Sequence, residues 1–441
     1  MYSNICKRRA GGWALEIIDL ADRRQLQLCL KRDGDIRTAP AVPFAHPLDE
    51  VQCQEISWYF RDYLGYPFGP ARTRSEGVEA TLRNLGRLLF ETVFQSNDEA
   101  KSCYTTACAD GLAGYQLAIV STRPSFLALP WELLNEPQTG YMASRLASVI
   151  RLRDSGPVPE FNGSLTTDQI NVLLVSPFLS REPTTSEAFS SEKISSSPLL
   201  TEGSHPDPAL VSGGLGEIGS LAVETLAVLD SLKARVELDF LRPATFAALS
   251  DHLAHRPEHY HLVHFDGYAS SDPDELVFEG EDGGASPVPA SQVAELLTAA
   301  RVPVALLNSR SAGFQQSWAA ATARLAAGGV PLTVSVPLVL SGPAPQLFLD
   351  TFYRAIVQGT DVPSAVTQAR RSLMDNPHRP TPSGNMVFWD WIGPLFGAPK
   401  WRYQWGNAPK SAKIDQSSPR IHHTKQNLFL EHQNDDTNGE M

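Results

Sequence analysis

Cysteine is scarce in this chain and, past Cys108, missing altogether: all five, Cys6, Cys29, Cys53, Cys103 and Cys108, fall in the first quarter of the 441 residues. Their spacings match no zinc or paired-thiol pattern, so free buried thiols are expected, and neither a metal nor a cofactor is implied. Long apolar runs are missing too. No stretch approaches the roughly 20 residues that a helix needs to span a bilayer, and the basic residues within Met1 to Arg9 have no apolar segment behind them to make a secretory leader. A cytoplasmic protein with no membrane partner is the expectation. Positive charge is in deficit, with 37 Lys and Arg against 49 Asp and Glu and a formal net charge of -12. Surfaces that follow phosphates need a concentrated basic face, so nucleic acid is not an expected partner. The chain also lacks a phosphate-cradling glycine loop and self-similarity at solenoid periods.

What remains is ordinary globular material, 42% hydrophobic and 20% charged, long enough for two domains. Period-two patterns at Trp13 to Ile18 and Leu26 to Leu30, joined by Asp22-Arg23-Arg24, predict a hairpin. Apolar positions three and four apart predict helices over 48–64 and 77–94. A strand over 115–120 leads into Leu129-Pro130-Trp131-Glu132-Leu133-Leu134, and a further strand covers 147–152. The segment 183–220 is rich in Ser, Pro, Thr, Glu and Gly without an apolar period, and it cannot bury enough surface to offset its ordering entropy. It follows a strand over 171–178, so it reads as a disordered insertion within a domain. A polar tail, 401–441, is broken only by Leu428-Phe429-Leu430.

Between insertion and tail, strands and helices alternate with short connections, the signature of a parallel sheet covered on both faces. Strands are expected over 235–241, 260–266, 302–308, 332–340 and around 386–391. A hairpin runs through 275–279, and helices fall over 221–234, 244–255, 291–300, 315–327, 346–358 and 362–374. In such sheets chemistry sits at the carboxyl ends of the strands. Two ends are distinctive: His261-Leu262-Val263-His264-Phe265-Asp266-Gly267-Tyr268-Ala269, and Val304-Ala305-Leu306-Leu307-Asn308-Ser309-Arg310-Ser311.

This pair, in this order and spacing, resembles the CHAT family of bacterial caspase relatives, whose patterns are roughly HFDGHG and LNACQSA. The family belongs to the clan of caspases and separases. The likeness extends to Leu129 to Leu134, similar to the family's LPWELL, to Leu276-Val277-Phe278-Glu279, to Ala326 to Pro331 and to Phe352 to Gly359. It also takes in Ala365 to Leu373, similar to the AxxxARxxL helix, and Trp391-Ile392-Gly393-Pro394-Leu395-Phe396, similar to the last strand. The resemblance implies a caspase-like three-layer α/β fold with a mostly parallel central sheet. It divides the chain into a tail at 1–10, an N-terminal α/β half at 11–160, a caspase-like half at 161–400 and the tail at 401–441.

In the family a cysteine thiolate attacks a peptide carbonyl, a histidine acts as base and backbone amides hold the oxyanion. Here the histidine of HFDGHG aligns with Tyr268, whose phenol titrates far above neutral pH. The cysteine aligns with Arg310, a permanent cation and no nucleophile. The resemblance thus implies a pseudoprotease with no catalytic residues, acting as a regulatory or scaffold subunit that binds another protein, such as an active CHAT peptidase or a defence effector. The competing reading is a peptidase using Ser309 or Ser311 as nucleophile, although both suit turn capping and the matching place offers no base. His264, Asp266, Gly267 and Asn308 are expected to line the altered site, with His264 on the buried strand face as a core histidine. Trp131 and Glu132 are expected to pack and hydrogen-bond where the two halves meet. Arg310 is expected to reach Asp266 or stack on Tyr268, filling the former dyad. The insertion and the tail are candidate docking segments, and the cleft a candidate ligand pocket.

Overall fold

The computed structural model describes residues 13–59, 63, 71–153, 169–177, 225–267, 270, 274–309, 316–336, 344–375 and 395–397. The expected insertion at 183–220 and the tails at 1–10 and 401–441 lie outside the described residues.

The N-terminal half opens on the hairpin its alternation predicts. β1 (Ala14–Leu20) and β2 (Gln25–Arg32) pair antiparallel around a single 3-10 turn, Ala21–Arg23. Leu15, Ile17, Leu26, Leu28 and Leu30 turn to the core. β3 (Asp35–Thr38) and β4 (Val42–Pro43) extend β2. The helix Glu50–Trp58 starts on a capping box, in which Asp49 accepts from the Gln52 backbone and the Gln52 side chain accepts from that of Asp49. The helix Arg72–Phe94 buries Val78, Leu82, Leu85, Leu89 and Val93, the spacing of one helical face. A third helix, Asp98–Asp110, has no counterpart in the apolar pattern. Its start is fixed by Asn97, whose side-chain oxygen accepts from Ala100 N at 2.9 Å, and by Asp98 and Glu99 in the first turn.

β5 (Gln116–Ser121) lies parallel to β1. β6 (Asn135–Glu136) and β7 (Gly140–Tyr141) make a small separate ribbon, and β8 (Ser148–Arg153) pairs parallel with β5. The C-terminal half supplies β9 (Ile170–Val175), β10 (Val236–Leu241), β11 (Leu262–Gly267), the hairpin β12 (Glu275–Glu279) and β13 (Ala285–Pro289), β14 (Val304–Ser309) and β15 (Leu332–Val336). β10, β9, β11, β14 and β15 lie side by side and parallel. The strand expected around 386–391 lies outside the described residues, and β16 instead occupies Leu395–Gly397. It runs antiparallel to β15 and parallel to β8. The described residues thus join both halves in one 12-stranded sheet, ordered β10-β9-β11-β14-β15-β16-β8-β5-β1-β2-β3 with β4 beside β2.

Both faces of the parallel part are covered, so its central strands are buried along their length and largely apolar. Val263, Phe265, Ala305 and Leu307 meet the helices Phe246–His255 and Ala290–Ala299 on one side. Leu262, Val304, Leu306, Leu332 and Val334 meet the helices Ala344–Val357 and Val362–Asp375 on the other. Helix, sheet and helix form the three layers of a caspase-like α/β fold.

Candidate functional site

β11 and β14 carry the site. They are parallel neighbours in register from Leu262 opposite Val304 to Gly267 opposite Ser309, which sets their carboxyl ends side by side. Tyr268 and Arg310 follow that last pair in the sequence, and with Ser311 they lie outside the described residues. The Ser309 backbone closes β14 opposite Gly267. His264 is opposite Leu306 and Asp266 opposite Asn308, so these residues share one parity and Ser309 is one residue off it.

Beneath the strand ends lies a buried polar group. His264 and Asp266 are fully buried and Asn308 nearly so. Asn308 Nδ2 makes a long contact to Asp266 Oδ1 at 3.5 Å. His264 Nδ1 lies 2.9 Å from the hydroxyl of Tyr353, which comes from the helix Ala344–Val357. Burial, with the Asp266 carboxylate adding to it, holds the Tyr353 phenol well above its ordinary value. A phenol kept protonated pairs with either tautomer of the imidazole, donating to a bare Nδ1 or accepting from an Nδ1–H. His264 is therefore committed to the helix beneath the sheet. Gly267 has a steric reason for being glycine: a Cβ there would lie 2.4 Å from Cε1 of Phe265.

The thiols of the described residues are elsewhere. Cys29 and Cys103 are buried and Cys53 and Cys108 half-buried, all in the N-terminal half. Burial raises the Cys29, Cys53 and Cys103 thiols, away from the reactive thiolate. Nor do Trp131 and Glu132 reach the strand ends. The indole of Trp131 donates to Phe126 O at 2.8 Å, and Glu132 is ion-paired with Arg151 of β8. Among the described residues no group of three or more His, Cys, Asp or Glu is placed to hold a metal. No helix among them is long and apolar enough to cross a membrane.

Tyr353 is the part of this group that strand patterns do not announce. Its signal is a phenol on an otherwise apolar helical face, within the segment Phe352 to Gly359.

A search of curated proteins finds no match. Among solved structures, the separase of a separase-securin complex from Saccharomyces cerevisiae is similar at 10% identity and a TM-score of 0.38, over 88% of this chain and 30% of the separase chain. This chain thus spans less than a third of that protein's length. The sequence profile of the CHAT domain matches residues 79–398, from the helix before LPWELL to the strand that closes the sheet. With both strand-end motifs, the helix pair and β16 inside that match, the chain belongs to the CHAT domain family.

Proposed function

We propose that this CHAT protein is a pseudoprotease, a regulatory or scaffold subunit that binds another protein and cuts nothing at its strand ends. The observation that carries the reading is the register of β11 and β14. Gly267 lies opposite Ser309 in register, and the residues that follow in sequence are Tyr268 and Arg310, where the family's chemistry requires a proton acceptor and a thiolate. A phenol does not accept a proton near neutral pH, and a guanidinium does not attack a carbonyl. His264 is fully buried on its strand and paired with Tyr353 of the helix beneath the sheet, the setting of a core histidine. In the absence of a cutting function, the Asp266 carboxylate is a natural partner for Arg310. A neighbouring peptidase or defence effector is the kind of protein such a subunit would hold.

The test is to incubate the purified chain with thiol-directed and serine-directed covalent probes and with a peptide library, followed by mass spectrometry. No labelling and no cleavage are expected. Adducts on Ser309 or Ser311, abolished by Ser309→Ala or Ser311→Ala, would replace the pseudoprotease with a serine-dependent peptidase. Affinity capture from the native host, with the Leu428-Phe429-Leu430 patch or the 183–220 segment deleted in parallel, then asks which segment holds the partner.

A further inference from the structure

Glu132 belongs to the N-terminal half, yet its carboxylate is shared with the C-terminal half. Arg151 on β8 donates to it twice, at 2.5 Å and 2.7 Å, and also donates to Leu127 O at 2.6 Å and Leu129 O at 2.9 Å. Arg370, from the helix Val362–Asp375, reaches the same carboxylate at 3.3 Å. The next residue, Arg371, donates to Ser144 O and Leu146 O at 2.6 Å and 3.0 Å. All three side chains of the cluster are buried, two cations around one anion. Burial brings the Arg370 guanidinium down to about 10. A cation held so far from water depends on its counter-ion, and removing Glu132 would leave two buried guanidinium groups facing each other.

The cluster also sits at the join of the sheet. Arg151 is opposite Phe396 of β16, and Phe396 is opposite Thr333 of β15. The helix that carries Arg370 packs along the helix Ala344–Val357, and this second helix carries the Tyr353 hydroxyl that meets His264 beneath the strand ends. From Glu132 to His264 the contacts are continuous: ion pair, helix against helix, hydrogen bond.

We propose that Glu132, Arg151 and Arg370 form a latch through which the strand-end site senses the N-terminal half. While the latch is closed, the helix pair 344–375 is clamped and Tyr353 is held on His264. When the latch opens, the helix pair and the strand ends loosen together. The coupling is a property of the scaffold and holds whether or not the strand ends are catalytic.

Hydrogen–deuterium exchange on the full chain tests it, with Glu132→Gln, Tyr353→Phe and the double variant. Glu132→Gln is expected to speed exchange at least tenfold (an opening easier by about 1.4 kcal/mol) in 344–375, 262–267 and 304–309, and to leave 14–32 unchanged. At 262–267 the double variant should exchange no faster than the faster single, because both substitutions break one chain of contacts. Acceleration confined to 124–153, or a double variant equal to the product of the singles, would overturn the latch. Should Glu132→Gln fail to fold, Arg370→Lys keeps the charge and loses the fork, and the same two outcomes decide.

Discussion

A methyl group at position 267 has no room. The Phe265 ring covers the space at 2.4 Å and is itself held edge-on to Phe278, with ring centroids 5.2 Å apart. Gly267→Ala is therefore expected to cost about 1–3 kcal/mol, the usual range for overpacking a filled core, measured by urea denaturation. Adding Phe265→Leu should recover part of the loss, and if Gly267→Ala is as stable as the parent, the steric account of that glycine is wrong. Tyr353→Phe removes the hydroxyl from a buried pair and should cost about 1–3 kcal/mol, the penalty for stranding a buried polar group. The same denaturation series checks it, and an unchanged midpoint would mean that the His264 contact contributes nothing. Motif spacing was enough to locate His264, Asp266, Gly267 and Asn308, because all four lie on two strands whose apolar runs mark them. Tyr353 stands 89 residues from His264, and no local pattern announces a pairing across that distance. The destination of Arg370 is hidden for a different reason: a charged residue in a helix reads as solvent-facing until its buried partner is known.

Among the elements, the helix Arg72–Phe94 shows how a local rule yields to a tertiary one. Gly86 is in its interior, where alanine would gain about 1 kcal/mol of helix propensity. A Cβ there would lie 2.1 Å from Leu133 O, a backbone atom of the 3-10 turn Trp131–Leu133 that cannot rotate aside. Gly86→Ala is thus expected to destabilise by about 1–3 kcal/mol despite the better helix former, whereas a gain in thermal midpoint would show that helix and turn can separate freely. Alternation of strands and helices made the C-terminal half readable, since each element there is apolar at the period of its own geometry. The helix Asp98–Asp110 escaped that reading because its buried residues are Ala100, Cys103, Tyr104 and Ala107, small or polar enough to weaken the apolar period. β16 is announced only by the family likeness of Trp391 to Phe396, because three residues are too few to carry any period, and its place between β15 and β8 is set by partners distant in sequence.

For the whole molecule, acid has a specific point of entry, at the start of β11 in the middle of the parallel strands. His261 precedes β11 and is 2% exposed, with Nδ1 accepting from Asn171 N at 2.9 Å. Asn171 in turn donates from its side chain to His259 O at 3.0 Å. Burial, with the neighbouring His259 adding to it, brings the His261 imidazole down from 6.5 to about 4. Burial lowers His252 as well. Above pH 6.5 folded and unfolded chains both hold these rings neutral, so stability does not depend on them. As pH falls from about 6.5 towards 4, the unfolded chain takes up a proton that the folded chain refuses, and the difference is lost from the folded state: about 3 kcal/mol for His261 when complete. Urea midpoints should therefore hold steady from pH 8 to 7 and fall between pH 6.5 and 4.5. His261→Gln keeps an acceptor for Asn171 N but cannot titrate, so its midpoint should fall less steeply over the same window, even if it starts lower. Parallel falls in parent and variant would place the acid sensitivity elsewhere. The sign separates the two buried basic groups: losing the His261 proton costs the fold nothing, whereas Arg370 must stay charged beside Glu132, so mild acid should loosen the start of β11 before it touches the latch.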